Sequence, residues 1–172
     1  TYATSGVGNP QHLNGELLQS LAGIEMVHVP YKGAPAQLVD VAAGSVDLTF
    51  VSLAGALPFI KSGKVKPLAV TSARRASFAP DIPAVAEYAP LKDYALENWF
   101  GVFVPAATPA DVQEKLAAAI GRALKDEKLV ASLRDLGGEV QPMSRAEFRD
   151  FIRAQTAVFA KVVADGHITA EN

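Results

Sequence analysis

The first twelve residues constrain the fold most, because a strand end, a glycine loop and a helix start follow one another directly. Residues 2–4 have the character of a strand end, and residues 5–8, Ser-Gly-Val-Gly, form a short loop. Asn9 followed by Pro10 is typical of a helix start, since asparagine accepts from free amides and proline has no amide to lose. Such a junction directs backbone N–H groups and a helix dipole at one anion, phosphate or carboxylate. A plain strand-to-helix turn that needs two glycines explains the same residues equally well.

The alternation of strand and helix continues to residue 71. Helices are predicted where leucines recur at helical spacing and a glycine follows, and strands where apolar or β-branched residues are continuous. The predicted elements are a helix at 10–22, a strand at 26–31, a helix at 34–43, a strand at 46–52, a short helix at 57–62 and a strand at 65–71. This order predicts an α/β fold with a mostly parallel sheet and right-handed crossovers.

The second half of the sequence is mainly helical. Trp99 and Phe100 lie in an aromatic-rich segment, 94–104, which is predicted to be a strand that crosses between two bodies. Segment 83–89 is at most a short helix, and further helices are predicted at 108–126, 129–136 and 144–165. We expect these helices to pack on a sheet whose other strands precede Thr1.

Composition excludes several classes of function. The chain has 172 residues, of which 49% are hydrophobic and 20% charged, so it can form a packed core. Its formal net charge of −2 gives no reason to expect binding to nucleic acid or to an anionic membrane surface. It has no cysteine, and hence no disulfide or thiolate metal site, and no apolar run approaches the roughly 18 residues of a membrane span.

The common nucleotide and hydrolase motifs do not fit the first loop. A dinucleotide fingerprint needs a third glycine or alanine where Gln11 stands, and no Gly-Lys-Ser/Thr of a P-loop follows. Ser5 lacks the preceding glycine of a serine-hydrolase elbow. His12 and Glu16 could form a metal or acid–base pair, but a helix-surface hydrogen bond is the usual role of such a pair. His28 fits a hydrogen-bonded strand histidine, and His167 is expected to be exposed. The sequence predicts no metal site and no cofactor.

Two further segments repeat the geometry of the first loop. His28 to Gly33 ends one predicted strand and opens the next helix, and Ser52 ends the following strand. In open α/β sheets ligands bind at the carboxyl edge of the strands. The resulting rim is polar and rich in amides but has no paired base and nucleophile, which favours binding a small anion over transforming it.

These residues resemble a known family. The matching motifs are Tyr-Ala-Thr-Ser-Gly-Val-Gly at 2–8 with His12-Leu13 and Glu16-Leu17, His-Val-Pro-Tyr-Lys-Gly at 28–33, Ala-Gly-Ser-Val-Asp-Leu at 43–48, the segment 63–72, Asp-Ile-Pro at 81–83, Trp-Phe-Gly at 99–101 and 105–109. In this order they are similar to the Bug or TctC-like solute-binding proteins of tripartite tricarboxylate transporters. The departures are small: Asn9 stands for a usual serine, and Ala106-Ala107 for Ala-Gly.

The resemblance implies a periplasmic-binding-protein-like clamshell that captures a small di- or tricarboxylate, or a related organic acid, and delivers it to membrane permease subunits without catalysis or direct membrane insertion. It implies that residues 1–98 are ligand-binding domain two and that residues 99–172 are the crossover strand and C-terminal helices of an incomplete domain one. Half of the usual site would then lie outside this chain. The residues expected to line the domain-two side of the cleft are Thr4, Ser5, Gly6, Gly8, Tyr31, Lys32, Gly33, Ala34 and Ser52. The alternatives are an enzyme acting on a small acid through His12 or Lys32, and a sensory binding subunit.

Overall fold

The computed structural model describes residues 1–166 and Ile168, and its first part alternates three strands with three helices. In chain order these are β1 (Tyr2–Thr4), α1 (Pro10–Ala22), β2 (His28–Pro30), α2 (Ala34–Ala43), β3 (Leu48–Thr49) and α3 (Leu53–Lys61). The strands form one sheet in the order β2-β1-β3, and both pairings are parallel. The predicted α/β fold with a parallel sheet is confirmed.

Helices α1 and α2 have the predicted bounds because their capping residues determine both ends. The Asn9 side chain accepts from the amide of His12 at 2.9 Å, and α1 ends at Gly23 with φ 63°. Helix α2 follows Gly33, with φ 131°, and ends at Gly44 with φ 77°. The positive φ of the two C-terminal glycines is the left-handed conformation that stops a helix at little cost for this residue type.

The predicted boundary between the third strand and third helix was wrong. The strand expected at 46–52 is limited to β3, and the helix expected at 57–62 begins already at Leu53. Ser52 is the N-cap of α3, and its Oγ accepts from the amide of Gly55 at 3.4 Å. A capping serine ends the strand segment and starts the helix, which the continuous apolar sequence did not reveal.

Two predicted strands are not formed. Within 65–71 only an isolated bridge joins Val70 to Ala84, and residues 94–104 pair with no strand in the part of the chain that the structure describes. Phe100 in the latter segment is 92% exposed. Strand propensity measures how well side chains fit a sheet surface, so without a partner strand the same residues stay irregular. The segment 83–89, expected to form at most a short helix, contains the 3-10 turn Val85–Glu87, and a second 3-10 turn, Ala89–Leu91, follows it.

The C-terminal helices lie close to their predicted positions. They are α4 (Ala110–Ala123), α5 (Glu127–Asp135) and α6 (Arg145–Asp165). Helix α6 begins at a capping box in which the Glu147 amide donates to Ser144 Oγ at 3.2 Å and Glu147 Oε2 accepts from the Ser144 amide at 2.8 Å. The Ser144 bonds hold the pKa of the Glu147 carboxyl below its ordinary value. None of the helices within residues 1–166 combines the length and apolar character required to cross a membrane.

The chain divides into two compact units. The first is Thr1–Glu97 together with the last turns of α6 from Thr156, and its core includes Leu13, Leu96 and Val162. The second is Asn98–Gln155, where the rings of Trp99, Phe103, Phe148 and Phe151 pack together. The assignment of residues 1–98 and 99–172 to two receptor domains stays a prediction.

Candidate functional site

The three strand ends bring the three predicted loop segments to one edge of the sheet. Thr4, at the end of β1, is in register with Pro30 of β2, and Ala3 is in register with Thr49 of β3. The amide of Tyr31 donates to the carbonyl of Thr4 at 2.8 Å, which joins the second loop to the first. Because all three strands are parallel, the N-termini of α1, α2 and α3 follow this same edge. We call this edge the loop rim.

The predicted site residues differ in their exposure at the loop rim. Ser5, Gly8, Lys32 and Ser52 are exposed, Gly6, Tyr31, Gly33 and Ala34 are half-buried, and Thr4 is fully buried. The Thr4 hydroxyl accepts from the Gly6 amide at 3.2 Å and lies 2.5 Å from Nε2 of His28. Thr4 therefore supports the first loop from the protein interior, whereas the other eight residues have surface at the rim.

Three amides of the first loop already have acceptors, in contrast to the free amides that the sequence suggested. Ser5 donates to Oε1 of Gln11 at 2.6 Å, Gly6 to Thr4, and Gly8 to Nδ1 of His12 at 3.0 Å. Gly6 and Gly8 have φ values of 134° and 73°, which explains why this loop needs glycine at both positions. The loop is thus preorganised by side chains of its own segment and of α1.

A chain of three polar side chains crosses the loop rim, and the sequence did not indicate it. Gln11 Oε1 accepts from Nε2 of Gln37 at 3.3 Å, and Gln37 Oε1 accepts from the Thr49 hydroxyl at 2.9 Å. Gln37 is fully buried on α2. A buried polar side chain needs hydrogen-bond partners, and Gln11 and Thr49 supply them. The chain thereby links the N-termini of α1 and α2 to β3.

A second polar cluster lies behind the first loop. The rings of His12 and His28 stack with centroids 4.1 Å apart, and Tyr2 stacks on His28 at 5.1 Å. The Tyr2 hydroxyl donates to Oε1 of Glu16 at 2.6 Å, and burial together with this bond raises the pKa of Tyr2. Nε2 of His12 lies 3.5 Å from Oε1 of Glu16, and the two side chains are only 10% and 17% exposed. The pair was expected on the helix surface, but it is largely buried.

The cluster supports the loop and offers no metal site. Because Nδ1 of His12 accepts from Gly8, the neutral ring carries its proton on Nε2, toward Glu16. Within residues 1–166 and Ile168 no group of three or more metal-ligating side chains is arranged to bind a metal ion. His167 lies outside the described residues.

Comparison with known proteins assigns the chain to a family. Its fold is of the periplasmic-binding-protein class, since a structure described as periplasmic binding protein BugD is 28% identical, with a TM-score of 0.79, over 99% of this chain and 57% of that chain. The family profile described as tripartite tricarboxylate transporter family receptor matches residues 1–166. The chain belongs to this family, which confirms the resemblance inferred from its motifs.

Relatives and solved structures agree with this assignment. A protein from the clcB-clcD intergenic region of Pseudomonas knackmussii is 37% identical over 137 residues, 80% of this chain and 81% of that protein. A structure titled R. palustris Rpa4515 with adipate is 32% identical, with a TM-score of 0.82, over 98% of this chain and 56% of that chain. MatC from Rhodopseudomonas palustris with bound malate is 27% identical, with a TM-score of 0.75, over 94% and 56% of the two chains. This chain spans about half the length of the other curated relatives that it matches.

Proposed function

We propose that this chain is part of a periplasmic solute-binding receptor that captures a small carboxylate and delivers it to the membrane permease subunits of a tripartite tricarboxylate transporter. Family membership supports the receptor role, and two solved relatives are described with adipate and with malate. The ligand class we propose is therefore a di- or tricarboxylate or a related organic acid.

The observation that carries this proposal is the convergence of three helix N-termini at the loop rim. Each N-terminus follows a parallel strand end and directs the positive end of a helix dipole to the same side of the sheet. Such dipoles can stabilise a carboxylate without a full counter-charge. The residues that we propose for this role are Ser5, Gly6, Gly8, Tyr31, Lys32, Gly33, Ala34 and Ser52, with Thr4 supporting the loop from behind.

We propose that the receptor binds its ligand without chemical turnover. An enzyme acting on a small acid would use His12 or Lys32. Nδ1 of His12 accepts from the Gly8 amide and its Nε2 faces Glu16, so the ring is engaged in holding the loop. Lys32 is exposed, whereas a catalytic lysine is typically desolvated in a hydrophobic pocket.

Amide NMR of the 172-residue chain tests the proposal directly. Adipate or malate should shift the amide resonances of Ser5, Gly6, Gly8 and Gly33, and the uncharged diamide of adipic acid should not. NMR detects millimolar binding, which suits a chain that spans about half the length of most of its relatives. Absence of any shift at the loop rim, or shifts confined to residues 98–155, would contradict the proposal.

A further inference from the structure

Several hydrogen-bond donors converge on one side-chain oxygen atom at the loop rim, and a bound carboxylate would need donors of this kind. Oε1 of Gln11 accepts from the Ser5 amide at 2.6 Å, from the Ser5 hydroxyl at 2.9 Å and from Nε2 of Gln37 at 3.3 Å. Three donors from two segments converge on this carboxamide oxygen, which has two lone pairs. A carboxylate oxygen of the ligand would be stabilised by the same arrangement.

The surrounding structure fixes these donors in place. Gln37 is fully buried, and its Oε1 accepts from the Thr49 hydroxyl, so its Nε2 points toward Gln11. The Ser5 hydroxyl accepts from Nδ2 of Asn9, the capping residue of α1. Because the donors are held by neighbouring elements, they remain oriented when the acceptor changes.

We propose that Gln11 is a tethered competitor of the ligand, whose oxygen occupies the Ser5 and Gln37 donors in the unliganded protein and leaves when a carboxylate binds. This inference rests on the proposed function and names the residue that limits affinity at that site. Hydrogen bonds to an ionised acceptor are about twice as strong as those between neutral groups, so a carboxylate can displace the carboxamide. Because Gln11 is covalently held beside these donors, its carboxamide has a high effective concentration. The ligand concentration must therefore exceed a threshold, set by this competition, before the ligand displaces Gln11.

Two substitutions at Gln11 should act in opposite directions. Gln11→Ala removes the competitor, and we expect this variant to bind adipate at least about threefold more tightly than the wild-type protein does. Gln11→Glu places a permanent carboxylate among the same donors, and we expect binding at least about tenfold weaker than in wild type. Adipate binding is measured by NMR titration of the Ser5 and Gly33 amides, and circular dichroism checks that each variant is folded.

Pro10→Glu is the matched control for charge. Pro10 is exposed at the first position of α1, so this variant adds the same charge one residue away and keeps the Gln11 carboxamide. We expect its affinity for adipate to stay within about threefold of wild type. Equal losses in Gln11→Glu and Pro10→Glu would overturn the proposal, because charge repulsion alone would then explain both. Weaker or unchanged binding by Gln11→Ala would overturn it as well, since Gln11 would then help the ligand or play no part.

The unliganded protein provides a readout that needs no ligand. The Ser5 amide should exchange with solvent faster in Gln11→Ala than in wild type, because its acceptor is gone. Unchanged exchange would show that Gln11 does not accept a hydrogen bond from the Ser5 amide. That result would overturn this inference and leave the proposed function unaffected. If exchange responds as expected but neither adipate nor malate shifts any rim amide in wild type or in Gln11→Ala, the proposed function fails, and the competitor role fails with it.

Discussion

The hydroxyl of Tyr31 donates to Oδ2 of Asp40 at 2.7 Å and so joins the residue after β2 to helix α2. This bond raises the pKa of Tyr31 above its ordinary value of 10.0. It also determines how Tyr31 could meet a ligand. Because the hydroxyl is already engaged, we expect the ring of Tyr31 to provide the contact.

The stability that the Tyr31–Asp40 bond provides should disappear at high pH. Only the protonated hydroxyl donates, and the folded state has the higher pKa, so the contribution is complete below about pH 10 and is lost as the pH rises further. We therefore expect Tyr31→Phe to be less stable than wild type at neutral pH, with a difference that shrinks above about pH 10. Urea unfolding across this pH range measures the difference.

Tyr88→Phe is the control for the alkaline experiment, because Tyr88 is exposed and belongs to the same unit. Its stability relative to wild type should not depend on pH in the same way. A Tyr31→Phe difference that stays constant from neutral to alkaline pH would show that the bond contributes nothing to folding.

Ligand binding should depend on Tyr31 more than on Lys32. Tyr31 is half-buried and held by its bond to Asp40, whereas Lys32 is exposed and has a flexible four-carbon side chain. We expect Tyr31→Ala to weaken adipate binding at least about tenfold, or about 1.4 kcal/mol, and Lys32→Met to change it by less than about threefold. Calorimetry or NMR titration at two salt concentrations checks both. If Lys32→Met shows the larger loss and a changed salt dependence, the site works by ion pairing.

Local sequence signals were sufficient to predict where a helix begins and ends when a capping residue determines these bounds. Asn9, Gly23, Gly33 and Gly44 determine the bounds of α1 and α2, and these bounds were predicted correctly. The segments 65–71 and 94–104 were predicted wrongly as strands, since strand formation depends on a partner that local sequence does not specify.

The donors at the loop rim could be predicted only in part. The glycine loop and Tyr31 could be predicted as rim residues because they follow strands. This prediction requires only that the strands are parallel and alternate with helices along the chain. Gln11, Gln37 and Thr49 were not visible, because their contacts depend on the spatial strand order β2-β1-β3. Gln37 also looks like a solvent-facing helix residue, although it is fully buried.

Gly15→Ala should destabilise the protein although alanine favours helices. A Cβ at Gly15 would lie 2.6 Å from Cζ of Tyr2, whose ring is fully buried and whose hydroxyl is bound to Glu16. Since the ring cannot move away, we expect overpacking to cost about 1–3 kcal/mol and to outweigh the gain in helix propensity of about 1 kcal/mol. Urea unfolding monitored by circular dichroism gives the change.

The control for this substitution is Gly121→Ala in α4, where an added Cβ has no atom within 4 Å. There we expect stabilisation of up to about 1 kcal/mol from helix propensity. A stabilised Gly15→Ala variant would mean that α1 does not pack this closely on Tyr2.

Substitutions at Gly8 test whether residues 5–8 are a ligand-binding loop or only a strand-to-helix turn. Gly8 has φ 73°, and an added Cβ would have no atom within 4 Å, so the backbone conformation alone determines the cost to folding. Asparagine tolerates this conformation, whereas valine is strained there by about 1–2 kcal/mol. If the backbone must approach a ligand at Gly8, Gly8→Asn should keep most of its stability and still weaken adipate binding at least about tenfold.

Gly63→Asn is the matched control for Gly8→Asn. Gly63 has φ 70° and equally open space, but it follows α3 and lies outside the three loops that form the rim. Because the backbone strain is nearly the same, the two variants should have similar free energies of unfolding. Adipate affinity should fall only in Gly8→Asn, since only there does the new side chain stand among the proposed donors. Binding by Gly8→Asn equal to that of wild type would identify residues 5–8 as a plain strand-to-helix turn.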